Sequence, residues 1–423
     1  MSEPQVLLVT SVGSSPSAVI PVLAALEAHE LRVRAIDVGR VGSRKEGTVD
    51  RVFRALVGEL SERRLVKELE SNPPDVVVAF DPGATQALTV ARDAARRAAP
   101  VVAIVDELVP GKAWSATDAD RYLVVDDQAA VTLADVGVES DRILPVGPFC
   151  GLSYARAARE SRAAIRARFK LANGPVVLVV VDGLGYDTTT QIALQLSLSK
   201  AAPLYLFDAG DDRDAATALR SQVPALDMRA KLFGATADAA SYWRAADVVV
   251  ARPTADIIAR ALMVGARVVS FSPEDADAST RARAVEERKL GAQASNALLL
   301  SSALEPLLGR GAADGETTGA DGAANAADVV WIVGTERVAV IDERLSVARA
   351  ETRAKVRAVT SAADAAARVA APAEDLEDLS GGSADYAAAA AVPDVAELSQ
   401  LRAELSTRMG QVSKTVFGAR EAA

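Results

Sequence analysis

The chain has 423 residues, half of them apolar and a quarter charged, which is the composition of a folded globular protein and excludes a wholly disordered one. The length exceeds what one ordinary core serves, so two or three domains are expected. Fifty-seven acidic against 47 basic residues give a net charge of -10, which disfavours nucleic acid as a partner.

A single cysteine, Cys150, cannot form an internal disulfide, and no Cys/His spacing resembles a zinc site, in keeping with a reducing cytoplasm and no structural metal. The opening Met1-Ser2-Glu3-Pro4 lacks the basic and apolar regions of a secretory signal, and no stretch approaches about 18 uninterrupted apolar residues. A cytoplasmic protein is expected. Peripheral contact with the inner face of a membrane is weighed on the arginine-rich helix 156–170, whose plainer reading is a solvated face.

Along the chain, short β-branched runs alternate with helical patterns. Strands are predicted at 6–10, 33–38, 75–80, 101–105, 121–125 and 143–146, with helices at 16–30, 49–70, 85–98 and 128–136 between them. Near-continuous apolar strands such as Asp75-Val76-Val77-Val78-Ala79-Phe80 belong in a sheet covered on both faces, and they predict a doubly wound parallel sheet over residues 1–150. A basic helix, 155–170, leads to a second alternation with strands at 176–182, 203–208, 228–233, 247–251 and 267–271. The fold class is therefore α/β, two Rossmann-like doubly wound domains in tandem, the second over residues 151–308.

Residues 309–328, rich in Gly, Ala, Asp and Thr, predict a flexible linker. Residues 329–370 predict a hairpin (329–333 and 338–341 around Gly334-Thr335-Glu336) and a long alanine-rich helix. The stretch 371–395 carries six carboxylates and no Lys or Arg and predicts an extended acidic linker. In 396–423, Leu398, Leu401, Leu405, Met409, Val412 and Val416 recur at helical spacing, an amphipathic stripe that needs a surface in cis or a second subunit.

Ligands of open α/β sheets bind beyond the carboxyl ends of the strands, so the strand-end loops hold the candidates. After the first strand, Gly13, Ser14 and Ser15 form a small-residue loop able to present N–H groups to an anion or simply to turn into the helix. After the first strand of the second domain, Gly183 and Gly185 allow close backbone approach to phosphate, or a plain capped turn by Asp187 or Thr188. Arg252, followed by Pro253 and Thr254, offers a guanidinium to a diphosphate. Asp106 ends the fourth strand, where partial desolvation would make its carboxylate a base. His29, the only histidine, lies at the solvent-facing end of the first helix in this reading, which disfavours histidine catalysis and a Ser-His-Asp triad.

Over residues 6–308 these features resemble the GT-B glycosyltransferases, in particular the group of monogalactosyldiacylglycerol synthase and the peptidoglycan N-acetylglucosaminyltransferase. The likeness is carried by the 74–80 strand, Pro100-Val101-Val102-Ala103-Ile104-Val105-Asp106, Trp114, Asp120-Arg121-Tyr122-Leu123-Val124, the 142–148 hinge, the glycine turn 182–185 and the 246–262 loop and helix. The resemblance implies a donor nucleotide sugar, a UDP-sugar first, held by Gly183, Gly185, Arg252, Pro253, Thr254 and by Glu274 and Asp275, which fall where the family has a segment near the sugar. It implies a lipid or other hydroxyl acceptor on the first domain, with no cofactor and no metal. The first loop has no His base, so Asp106 is the replacement base, and Arg260 stands where the family has a ribose-binding Glu. Three functions follow: a transferase; a catalytically inactive GT-B-derived scaffold acting through its cleft or its tail; and, less favoured because the cleft acids and histidines it needs have no place in this chain, a nucleotide-sugar epimerase on the same architecture.

Overall fold

In the computed structural model, residues 4–11, 16–38, 63–95, 99–171, 174–271, 276–308, 320–335 and 377–378 are described. The first half contains β1 (Gln5–Thr10), α1 (Pro16–Ala28), β2 (Arg32–Asp37), α2 (described over 63–71), β3 (Val76–Ala79), α3 (Pro82–Ala95), β4 (Val101–Val105), β5 (Arg121–Val124), α4 (Asp127–Asp135) and β6 (Ile143–Pro145). These strands form one parallel sheet in the order β2-β1-β3-β4-β5-β6.

Two helices, α5 (Leu152–Arg159) and α6 (Arg162–Arg168), lead to the second sheet. Its elements are β7 (Val176–Val180), α7 (Gly185–Ser197), β8 (Leu204–Asp208), α8 (Arg213–Gln222), β9 (Arg229–Phe233), α9 (Ala239–Ala245), β10 (Val248–Ala251), α10 (Ala255–Val264), β11 (Arg267–Phe271), α11 (Ala276–Glu287), β12 (Gly291–Ala294) and α12 (Leu300–Leu308). The strand order is β12-β11-β10-β7-β8-β9, all parallel, and a two-residue strand, β13 (Glu377–Asp378), adds antiparallel beyond β9. A final helix, α13 (Gly322–Thr335), precedes β13 in sequence. The expected pair of doubly wound sheets is thus present.

The strand sequences explain the layering. Successive side chains of a strand point to opposite faces, and in β7 Val176 and Leu178 join one apolar core while Val177 and Val179 join another. Both faces are covered, which is why the strands read as unbroken valine runs. The first of these cores also contains Leu7, Val78 and Ile104 of the first sheet together with Val249 of the second sheet and Trp243 and Ile258 of the helices beside it. One apolar interior therefore runs through both halves, and α1 touches α10.

At the amino ends of β7 and β10, arginines fasten the connecting helices to the second sheet. Arg166 Nη2 donates to Asp247 Oδ2 at 2.8 Å and to the Ala245 carbonyl at 2.7 Å. Arg162 donates to the carbonyls of Arg244 (3.1 Å) and Gly265 (3.0 Å), and Arg244 to that of Val264 (2.8 Å). The single helix expected over 155–170 is two, and Ser161 caps the second by accepting from Ala164 N at 3.1 Å.

The end of the linker and the first hairpin strand expected over 320–335 need correction, because residues 322–335 are helical, while 309–319 and 336–341 lie outside the described residues. The run Val329-Val330-Trp331-Ile332-Val333 has strand propensity, but Ala323, Ala326, Ala327, Val330 and Val333 recur at helical spacing and bury against α1 and β3. Tertiary packing outweighs propensity here. The helix returns to the first half beside the 146–148 segment: Asn325 Nδ2 donates to the Val146 carbonyl at 2.6 Å, and Gly322 N to that of Pro148 at 3.1 Å. His29 is corrected with it. Its Nε2 lies 3.3 Å from Asp328 Oδ1 of α13, with 15% of the His side chain exposed, so the imidazole sits under the returning helix rather than in solvent. The helix expected at 49–70 is described only from residue 63, and the helices expected at 343–370 and 396–423 lie outside the described residues.

Candidate functional site between the two sheets

In each sheet the connections reverse direction at one point, between β1 and β3 in the first and between β7 and β10 in the second. Loops leaving the carboxyl ends of strands at such a point diverge and leave a crevice. At the first, Ser11 is buried, and Asp81 caps α3 by accepting from Ala84 N at 2.9 Å. At the second stand the Gly183–Gly185 turn and the Arg252-Pro253-Thr254 loop, which follow the neighbouring strands β7 and β10.

Asp106 follows β4 and is half-buried. Its neighbour Glu107 is engaged, since Oε2 accepts from Gly111 N at 3.2 Å and from the indole N–H of buried Trp114 at 3.3 Å. Asp126, after β5, caps α4 through Ala129 N (2.7 Å) and meets Arg288 from the second half at 2.9 Å. Arg288 also donates to the Leu108 carbonyl, and only 6% of its side chain is exposed. This arginine ties the strand-end loops of the first sheet to the end of α11.

On the second side, Gly183 (φ 73°) and Gly185 (φ 68°) both adopt the left-handed region, which the glycines permit without strain. Neither Asp187 nor Thr188 caps α7, whose cap residue is Leu184 with no side-chain hydrogen bond. Instead Gly185 N donates to Asp212 Oδ2 at 2.9 Å, while Asp212 Oδ1 accepts from Ala215 N at 2.9 Å as the cap of α8. Those amides, Ala215 first, hold the Asp212 carboxyl below the usual range. The carboxylate lies where an external anion would have met the Gly185 amide.

Arg252 is exposed, Pro253 is buried, and the Pro253 carbonyl accepts from Arg281 Nε at 2.6 Å. Thr254 is the cap of α10, its Oγ1 accepting from Ile257 N at 3.3 Å. Gly13, Ser14 and Ser15 and Glu274 and Asp275 lie outside the described residues.

Next to this crevice is a cluster that sequence reasoning saw only in part. Arg260 of α10 pairs with Asp256 one turn earlier (2.7 Å), and its guanidinium stands 5.2 Å from the Tyr154 ring centroid and 5.7 Å from that of Trp243. The Trp243 indole N–H donates to Asp208 Oδ2 at 3.4 Å, and Gly210 N to Asp208 Oδ1 at 3.1 Å. Burial pushes the Asp208 carboxyl up to about 6 against these hydrogen bonds and the Arg260 charge. Burial likewise raises Asp256, the Cys150 thiol and the Tyr154 phenol. A carboxylate that protonates near neutrality beside a crevice is able to exchange a proton with a ligand. The Asp208-Ala209-Gly210-Asp211-Asp212 loop at a strand end was the available signal; Trp243 and Tyr154 reach the cluster through folding and left none.

Among the described residues no group of His, Cys, Asp and Glu is arranged to hold a metal, and no helix is long and apolar enough to cross a membrane.

A family model described as monogalactosyldiacylglycerol (MGDG) synthase matches residues 44–149. No curated protein matches the sequence. Among solved structures, MurG of Acinetobacter baumannii is similar at 13% identity, with 77% of this chain and 99% of that one covered and a TM-score of 0.55. CalG4, the calicheamicin glycosyltransferase, gives 15% identity, 80% and 100% coverage and 0.56. UGT89C1 of Arabidopsis thaliana, complexed with UDP-L-rhamnose, gives 10% identity, 79% and 99% coverage and 0.50.

Proposed function

From the GT-B glycosyltransferase fold of this chain, we propose that it binds a nucleotide diphosphate sugar in the crevice between its sheets and transfers the sugar to a hydroxyl acceptor. The carrying observation is that Gly183 and the Arg252-Pro253-Thr254 loop follow β7 and β10, the two strands that flank the reversal point of the second sheet, where the strand-end loops part. UDP is the expected nucleotide, since the plant relative is complexed with a UDP-sugar. A glycolipid acceptor is the reading favoured for the first half by its match to the MGDG synthase model. Arg252 neutralises diphosphate charge and the α10 amino end adds its dipole, while Asp106 takes the acceptor hydroxyl proton as the acceptor oxygen bonds to the anomeric carbon and the bond from that carbon to the diphosphate breaks, releasing the nucleoside diphosphate.

The test is a thermal-shift panel of UDP, GDP and TDP compounds followed by nucleotide release with lipid acceptors. A stabilising shift with UDP and turnover lost by about 10²–10⁴-fold in Asp106→Asn, with the UDP shift intact, is the expected result. Absence of any nucleotide shift sinks the reading.

Two observations favour a second reading, a cleft protein that binds without transferring. Gly185 N already donates to Asp212, and Arg260 is enclosed by Asp256, Tyr154 and Trp243. This version expects nucleotide binding, or none, with no turnover, and any turnover abolished by Asp106→Asn rejects it.

A further inference from the structure

The second sheet has an open edge at β9, and what meets it is a short piece of the distant tail. Glu377 pairs with Leu232 and Asp378 with Lys231, antiparallel. An edge strand presents unpaired N–H and C=O groups and is a template for another strand, commonly guarded by lysine or by a covering segment. In β9, Arg229 is exposed and Lys231 half-exposed, whereas Ala230, Leu232 and Phe233 are buried.

The tail sequence around the contact is Pro372-Ala373-Glu374-Asp375-Leu376-Glu377-Asp378-Leu379-Ser380-Gly381-Gly382. It is a short run bounded by proline and a glycine pair, the punctuation of an extended segment. In the observed register Asp378 stands opposite Lys231. Directly opposed residues of an antiparallel pair share a face and interact, apolar with apolar and charge with opposite charge. The six carboxylates of 371–395, with no basic residue among them, suit an edge that carries Arg229 and Lys231.

We propose that the β9 edge is a docking site for an acidic extended peptide, and that its occupant is this chain's own segment 374–380, added in cis as an antiparallel strand. The function of the contact is to close the sheet against strand pairing with a second copy and to fix where the tail leaves the second half of the protein. The assignment is independent of any nucleotide in the crevice. The assignment also names one register of two: the identical Glu-Asp-Leu units, 374–376 and 377–379, offer an alternative three residues away that reverses every face, and the pairing is made through the second unit.

Cysteine pairing in the full chain tests it, since the native Cys150 is buried and does not compete. Opposed Cα atoms in an antiparallel pair lie within disulfide range. Under mild oxidation K231C with D378C should close an intrachain disulfide in most molecules, and K231C with D375C should not. Hydrogen exchange gives a measurement without new thiols: reversing Glu374, Glu377 and Asp378 to Lys should make exchange in the 228–234 peptide about tenfold faster while the β8 peptide is unchanged. A closed disulfide in the D375C pair, a disulfide only between chains, or unchanged exchange in the charge-reversed protein each overturns the assignment; the second of these would make a second copy the occupant.

Discussion

The two ends of the second sheet treat buried charge differently. At the amino end of the strands, Arg162, Arg166 and Arg244 spend their donors on main-chain carbonyls and on Asp247, whose Oδ2 also accepts from Val176 N at 2.8 Å. At the carboxyl end, Arg260 has one carboxylate partner and two aromatic faces, and Asp208 sits half-buried with its proton affinity raised. Saturated donors fix a geometry, whereas a carboxyl held against its preferred charge state stores the capacity to respond to a ligand. The first end is architecture and the second is where chemistry is expected.

The largest effect should come from breaking the saturated end. Asp247→Ala leaves Arg162 and Arg166 without their carboxylate and should lower unfolding free energy by about 3–5 kcal/mol in urea titrations; a loss under about 1 kcal/mol would erase the contrast. At the other end the sign reverses. The folded Asp208 carboxyl titrates at about 6, above the roughly 3.9 of an unfolded chain, so stability falls as pH climbs between those values and stays lowered above them. Asp208→Asn should therefore gain about 1–2 kcal/mol near pH 7.5, with the gain vanishing near pH 4, in urea titrations at both pH values. The smallest effect is expected at the neighbouring loop: Asp212→Ala removes the α8 cap and should cost about 1 kcal/mol in thermal melts. The same variant frees the Gly185 amide, and tighter UDP binding by calorimetry would mark Asp212 as an internal competitor for anion.

The sequence made both sheets legible, because strands buried on two faces must be apolar throughout and valine runs such as 76–78 and 248–250 satisfy that with no long-range information. It also made the crevice loops legible, since Gly183, Gly185 and Thr254 mark where strands end and helices begin. What it hid depends on packing partners far along the chain. Val329 to Val333 reads as a strand until α1 and β3 are available to cover a helix, and His29 reads as exposed until Asp328 arrives from about three hundred residues away. The filling of the Gly185 amide by Asp212 and the enclosure of Arg260 by Tyr154 and Trp243 are hidden for the same reason.

The return of α13 has a consequence for how the molecule is made. A Cβ on Gly147 would stand 2.6 Å from the Ala320 carbonyl oxygen, and one on Gly322 would stand 2.2 Å from that of Gly147, so outgoing and incoming chain cross there backbone against backbone. Everything between the two glycines is an excursion that starts and finishes at one spot. During translation the ribosome has to deliver that whole excursion before the helix that shields α1 and β3 emerges, leaving the earlier half with an uncovered apolar flank while the later half is still being polymerised.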